Sequence, residues 1–289
     1  CHLNGTIRTV KDSLYDDLAH GEMRMKRLLL TGAAGGLGRA MRPRLAGMAE
    51  ILRVSDISDL GAVADHEEAM QCDLGDRAAV DRLVDGCDGI IHLGGISVED
   101  KFSKILNANI LGLHNLYEAA RANGMPRILF ASSNHTIGFY RQDEYLDHTM
   151  PQRPDGLYGV SKCFGEALAR MYFEKFGQET ALVRIGSCME RPTNHRMLST
   201  WMSYDDFLSM IECIFRVPRL GCPVIWGCSD NDSRWWSNEH VSYLGWRPKD
   251  NAERFRKDID AAVAKPAPDH ATAVYQGGPF VLDPIFSEE

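Results

Sequence analysis

The chain has 289 residues, with 40 acidic side chains against 32 Lys and Arg, a formal charge of −8, and 44% hydrophobic and 25% charged residues. That is enough chain for a real hydrophobic core and an ordinary globular composition. An acidic balance with no Lys/Arg block excludes a nucleic-acid partner, and no apolar run approaches the roughly 20 residues of a membrane span.

Residues 1–24 begin with Cys1 and carry Asp12, Asp16, Asp17 and Glu22 without the apolar centre of a signal peptide. They read as an extension outside the natural fold. Lys26–Thr31 is a short apolar strand that runs into Gly32-Ala-Ala-Gly-Gly-Leu-Gly38, and a helical pattern follows from Leu37 to about Met48. Ile51–Asp56 reads as a second strand, Met70–Asp73 as a third, Arg77–Asp85 as a helix, and Gly89–Gly94 as a fourth strand buried on both faces. A long helix would then carry Leu106, Ile110, Leu113, Tyr117 and Ala120 on one stripe. Arg127–Ala131 reads as strand five, Tyr158 to Phe176 as a helix stopped by Gly177, and Thr180–Ile185 as a sixth strand closing the series.

Strands alternating with helices predict an α/β fold with a Rossmann-type, doubly wound parallel sheet. Past Gly186 the rhythm breaks into Pro, Trp and loop residues until a helical stretch from Asn251 to Ala264. The expected organisation is a nucleotide-binding domain over 25–186 and a small substrate-covering lobe over 187–289, packed as one globular unit.

The glycines at 32, 35 and 38 follow a strand and open a helix, the context in which such a turn holds a dinucleotide. Gly32, Gly35, Gly36, Leu37 and Gly38 are therefore expected to cradle its pyrophosphate. Asp56 lies 24 residues past Gly32 at a strand tip, where a carboxylate accepts hydrogen bonds from the adenosine ribose and repels a 2′-phosphate. The expected cofactor is NAD rather than NADP. Asp73, Leu74, Gly94 and Ile185 are placed around the same crevice.

Tyr158 and Lys162 are four residues apart and share a helix face. A free tyrosine, with a pKa of about 10, is a weak base at neutral pH; a fixed cation beside it pulls the phenol toward the working range. Ser133, just past strand five, can face Tyr158 at the carboxyl edge of the sheet and hold a substrate oxygen. This set reads as an oxidoreductase acting on an alcohol, with Lys162 also reaching the nicotinamide ribose. The bland alternative is a surface Tyr and Lys with a capping serine.

Eight cysteines (Cys1, Cys72, Cys87, Cys163, Cys188, Cys213, Cys222, Cys228) form no Cys-x-x-Cys pair and are read as reduced, in a cytoplasmic protein. Ten histidines show no His-x-x-x-His spacing, so no metal is assigned.

From Lys26 onward the chain resembles the extended short-chain dehydrogenase/reductase family, and within it the uronate dehydrogenase group. The resemblance is carried by the glycine turn, His92–Glu99, Phe130–Gly138, Asp155–Glu166, Val183–Cys188, Arg196–Trp201 and Leu244–Asp250. It implies NAD-dependent oxidation of the anomeric carbon of D-glucuronate or D-galacturonate to an aldarolactone. It also implies substrate contacts at Ser97, Ser133, Asn134, His135, Tyr158, Ser187 and Arg196. An arginine fork suits a sugar carboxylate, although an arginine can equally serve a structural ion pair. The segment Met189–His195 departs from the family pattern. Two other readings compete. One is a nucleotide-sugar epimerase or dehydratase, against which Asn134 and His135 stand where that family's dehydratases carry an acid/base pair. The other is a non-catalytic NAD sensor, against which Tyr158 and Lys162 are both retained. Self-association into a homo-oligomer through a long helix pair is expected.

Overall fold

The computed structural model describes residues 25–288; the reading of residues 1–24 lies outside them. Seven strands form one parallel sheet: β1 (Met25–Thr31), β2 (Ala49–Asp56), β3 (Glu67–Gln71), β4 (Gly89–His92), β5 (Arg127–Ser133), β6 (Thr180–Ile185) and, much later in the chain, β9 (Val224–Gly227). Their order is β3-β2-β1-β4-β5-β6-β9, so the direction of winding reverses between β1 and β4, where open α/β sheets place their ligands. Apolar side chains from both faces of the inner strands explain their continuous hydrophobic character. Leu28 and Leu30 point into one core with Met210 and Ile214, and Leu29 into the other with Leu116 and Tyr117.

The sixth strand therefore does not close the sheet. β9 pairs with β6, Leu182 opposite Val224 through Ile185 opposite Gly227. Between them come β7 (Ser187–Cys188), β8 (Trp201–Met202) and two helices, α6 (Met197–Thr200) and α7 (Tyr204–Arg216). Here the sequence reading missed α7 as well. Its signal was present: Phe207, Met210, Ile211 and Ile214 are spaced for one buried face, and Ser203 caps the first turn by accepting from Asp206 N at 3.0 Å. Trp201, Trp226 and Trp236 are buried.

Other boundaries shift for local reasons. Helix α1 (Gly36–Met41) is shorter than expected because Pro43 has no N–H to continue the ladder. β3 is Glu67–Gln71, displaced towards the N-terminus from the predicted 70–73, and α2 is Arg77–Val84. The long helix is α3 (Phe102–Ile105), a π-helical segment (Leu106–Leu111) and α4 (Gly112–Ala122). The wider π turn rotates the stripe, so Ile105, Asn109, Leu113 and Tyr117 face inward and Leu106 is left exposed. Helix α5 (Leu157–Phe176) ends as predicted at Gly177, whose φ of 76° is the left-handed cap that glycine adopts without strain. The stretch predicted helical from 251 splits into a 3-10 turn (Ala252–Phe255) and α8 (Arg256–Ala262). The chain closes over the site with α9 (Ala271–Val274) and a 3-10 turn (Gly278–Leu282).

Candidate active site

The β1–α1 turn is built around close backbone approach. A Cβ on Gly38 would stand 2.1 Å from Gly32 O, and one on Gly32, at φ +72°, 2.7 Å from Gly94 N. Gly36, by contrast, has nothing within 4 Å of where a Cβ would be. The turn is thus tight against β1 and β4 and open on its outer side. Thr31 ties the two strands: its hydroxyl accepts from Gly94 N (3.1 Å) and shares a hydrogen bond with His92 Nδ1 (2.8 Å). Burial keeps that imidazole neutral, pulling it down to about 3.

At the tip of β2, Asp56 accepts from Ala34 N (3.0 Å) and Ser58 N (2.9 Å), which fixes the carboxylate at the edge of the turn with lone pairs to spare. Asp73 accepts from Gly75 N in a tight turn at 2.8 Å. A cavity of about 1050 Å³ runs from these residues along the carboxyl edge of the sheet. Gly32, Gly35, Gly36, Leu37, Gly38, Asp56, Asp73, Leu74, Gly94, Lys162 and Ile185 all line it, as the sequence placed them. The open flank at Gly36 and a chain of strand-end residues leading to Lys162 fit an extended dinucleotide.

Farther along the same cavity stand Ser97, Ser133, His135, Tyr158, Ser187 and Arg196. Ser133 stands beside Tyr158 in the cavity, near enough to lower its phenol, and Ser133 Oγ accepts from His135 N at 3.1 Å. Burial pushes the Tyr158 phenol up to about 12, with Ser133 opposing that rise. Lys162 Nζ lies 5.7 Å from the centroid of the Tyr158 ring and 5.0 Å from that of Phe130. It makes no hydrogen bond or ion pair among the described residues, and burial brings it down to about 8. Burial is thus the dominant influence on the phenol, and Lys162, which lines the cavity, keeps its donors available.

Arg196 is the second buried cation of the cavity. Nε donates to Gln276 O (2.7 Å), and Nη2 donates to the Asn134 side-chain oxygen at 2.6 Å when the Asn134 amide nitrogen donates to Ile185 O at 3.1 Å. No carboxylate among the described residues lies within ion-pair distance of it; burial lowers it to about 10 against the weaker, opposing pull of Asp155. The structural ion pair is therefore not what Arg196 makes. Asn134, expected to touch substrate, is 1% exposed and hydrogen-bonds Arg196. Ser187 shares a 3.0 Å hydrogen bond with Thr200.

Several residues that shape the site carried no sequence signal of their own. Glu99 accepts from Leu157 N and Tyr158 N, both at 2.9 Å, and so caps helix α5 at the tyrosine from 58 residues away in the chain. Asn109, delivered by the π segment, bonds Ile96 N (2.7 Å) and O (2.9 Å) and donates to Ser161 Oγ (2.9 Å), joining the loop after β4 to α5. Phe280 stacks on His135 with ring centroids 3.8 Å apart, and His135 Nδ1 is 2.7 Å from Asp155. The seven described cysteines are free. Among the described residues no group of acids, His and Cys could hold a metal, and no helix is long and apolar enough to cross a membrane.

Comparison with known proteins agrees with this geometry. The model of the NAD dependent epimerase/dehydratase family matches residues 28–200. The chain is 65% identical to a uronate dehydrogenase of Agrobacterium fabrum, across 91% of this chain and 100% of that protein. It is 54% identical to one of Pseudomonas putida, across 89% and 96%. A crystal structure of the uronate dehydrogenase of Agrobacterium tumefaciens, a tyrosine-to-alanine variant complexed with NAD, superposes with a TM-score of 0.90 at 65% identity, covering 91% of this chain and 99% of that one. The glycine cradle, the Tyr158–Ser133 pair beside Lys162 and these likenesses place the chain in the NAD-dependent epimerase/dehydratase family, among its uronate dehydrogenases, as an NAD-dependent oxidoreductase.

Proposed function

We propose that this enzyme oxidises the C1 hydroxyl of D-glucuronate or D-galacturonate in its ring form, releasing the aldarolactone. The observation that carries the substrate is Arg196, a buried guanidinium with no acid partner among the described residues, in the same cavity as the Ser133–Tyr158 pair. A desolvated cation is costly to keep unless a ligand neutralises it. A sugar carboxylate does so with fork geometry, and holding it there fixes the ring so that C1, joined to the carboxylate-bearing C5 through the ring oxygen, can meet Tyr158.

Bound in the cradle from Gly32 to Lys162, NAD supplies the hydride acceptor for C1. Ser133 steadies the C1 oxygen, and Tyr158 in its phenolate form takes the hydroxyl proton. Lys162 donates to the ribose hydroxyls and, held charged there, favours that phenolate. His135, Ser97 and Ser187 meet the ring hydroxyls, while Asn134 acts through Arg196. The ring stays closed because only C1 changes oxidation state.

The labour divides near residue 186, with 25–186 holding the nucleotide and the reacting end of the sugar and 187–289 covering the sugar; β9 lying in the same sheet as β6 supports one globular unit. Exposed Leu106, Leu111, Val160 and Phe176 on the α3–α4 and α5 surfaces support homo-oligomer formation, and the free cysteines support a reducing, cytoplasmic setting. The test is NADH formation at 340 nm with D-glucuronate, D-galacturonate and UDP-glucose, comparing NAD with NADP. Turnover of the free uronates with NAD is expected, and Tyr158→Phe should lower kcat by roughly 10²- to 10⁴-fold. Silence on both uronates overturns the substrate.

A further inference from the structure

His135 sits at the centre of the cavity wall, between the Tyr158 ring (centroids 5.8 Å) and the Phe280 ring (3.8 Å). Its Nδ1 is 2.7 Å from Asp155 Oδ2. The Asp155 side chain is 1% exposed, and its other oxygen, Oδ1, is buried with no hydrogen-bond partner among the described residues. Two glycines from distant parts of the chain leave just enough room for this carboxylate. A Cβ on Gly138 would lie 1.9 Å from Oδ2, and one on Gly277 would lie 2.0 Å from it. Backbone joins the two, Gly277 N donating to Gly138 O at 2.9 Å. A buried acid in a close-fitting niche, with half its hydrogen-bonding capacity unused, is an expensive arrangement to keep for packing alone.

The niche has a chemical consequence for the imidazole. A carboxylate only accepts hydrogen bonds, so the proton between the two groups resides on Nδ1. Burial favours the neutral ring, against the pull of Asp155. A neutral ring with its proton on Nδ1 presents Nε2 as a bare acceptor, and His135 lines the cavity. Phe280 on one face keeps the ring from turning.

We propose that Asp155 is a positioning residue of the reaction: from its Gly138–Gly277 niche it fixes the Nδ1–H tautomer of His135, so that Nε2 faces the sugar and accepts a hydrogen bond from a ring hydroxyl. The sugar in this statement rests on the uronate reading above; the tautomer does not. A hydroxyl can supply that proton, whereas a fluorine or hydrogen in its place cannot.

Two measurements test it. In protein labelled with ¹⁵N-histidine, with the His135 signals identified by their loss in His135→Ala, the long-range ¹H–¹⁵N correlations should show Nδ1 protonated and Nε2 bare near neutral pH. The Nε2–H tautomer overturns the proposal, and this reading needs neither turnover nor an Asp155 variant that folds. The second measurement is kcat/KM on D-galacturonate for Asp155→Asn in the wild-type and His135→Ala backgrounds. A loss of about 10- to 100-fold, the scale known for removing the hydrogen-bond partner that orients a metal-bound imidazole, is expected in the first background. In the second it should shrink to less than about twofold, with the NAD dissociation constant unchanged in both. Equal losses in both backgrounds mean that Asp155 acts other than through His135, on the fold or on the charge of Arg196, and overturn the proposal. If the wild-type enzyme turns over no uronate, the substrate reading fails while the tautomer measurement still decides the role of Asp155.

Discussion

The charge on Arg196 is where the substrate assignment can be broken most cleanly. Replacing it by Met keeps the length of the side chain and removes the guanidinium, leaving the Gln276 carbonyl and the Asn134 oxygen without their donor. Truncating one partner of a buried, hydrogen-bonded charge pair costs about 2–5 kcal/mol of binding, which is a fall of roughly 30- to 4,000-fold in kcat/KM on a uronate. The two orphaned acceptors add a separate stability cost of about 1–3 kcal/mol each where water cannot reach them, to be measured by thermal unfolding at a fixed NAD concentration. Arg196→Lys should recover only part of the activity, because an ammonium restores the charge but not the two-pronged geometry. The assay is NADH formation with D-galacturonate, D-glucuronate and the corresponding neutral hexoses as controls. Selectivity for acid over neutral sugar should collapse in Arg196→Met. If the variant folds and its preference for uronate over neutral hexose is unchanged, Arg196 does not bind the carboxylate and the reasoning fails.

Three further outcomes follow from the same geometry. Burial depresses Lys162 from 10.5 to about 8, so the unfolded chain binds more protons than the folded one between pH 8 and 10.5 and stability rises with pH across that window. Lys162→Met should accordingly stabilise the nucleotide-free protein at pH 7 by up to roughly 3 kcal/mol, a gain that vanishes above pH 10.5, while abolishing turnover; unfolding midpoints across that pH range check it. Gly38→Ala should destroy NAD binding, measured by titration calorimetry, because the added methyl meets the Gly32 carbonyl carbon-to-oxygen at 2.1 Å and the turn must open. Asp56→Ala should lower the NAD-to-NADP preference in kcat/KM by roughly 10-fold or more, as the carboxylate that repels a 2′-phosphate is removed; an unchanged ratio would place the discrimination elsewhere.

Much of this protein was written locally in the chain. The glycine turn with its strand and helix, the tip acid Asp56, the i, i+4 pair of Tyr158 and Lys162, and the Gly177 stop all depend on neighbours within a few residues, where dihedral preference and helical period decide the outcome. The alternation of strands and helices up to 185 likewise dictated the parallel sheet, since buried parallel strands must be apolar on both faces. The later half resisted the same reading. β9 is four residues long and gains its place only by pairing with β6, and the capped stripe of α7 was concealed among the Trp- and Pro-rich stretches around it. At the site, the sequence could name side chains but not their environment. That no acid among the described residues forms an ion pair with Arg196, that Asn134 hydrogen-bonds it, and that Glu99 caps the tyrosine helix are properties of contacts between segments far apart in sequence. So is the niche that Gly138 and Gly277 form around Asp155. Hydrogen bonding and desolvation act on whatever the fold brings within about 3–4 Å, and no spacing along the chain encodes that distance.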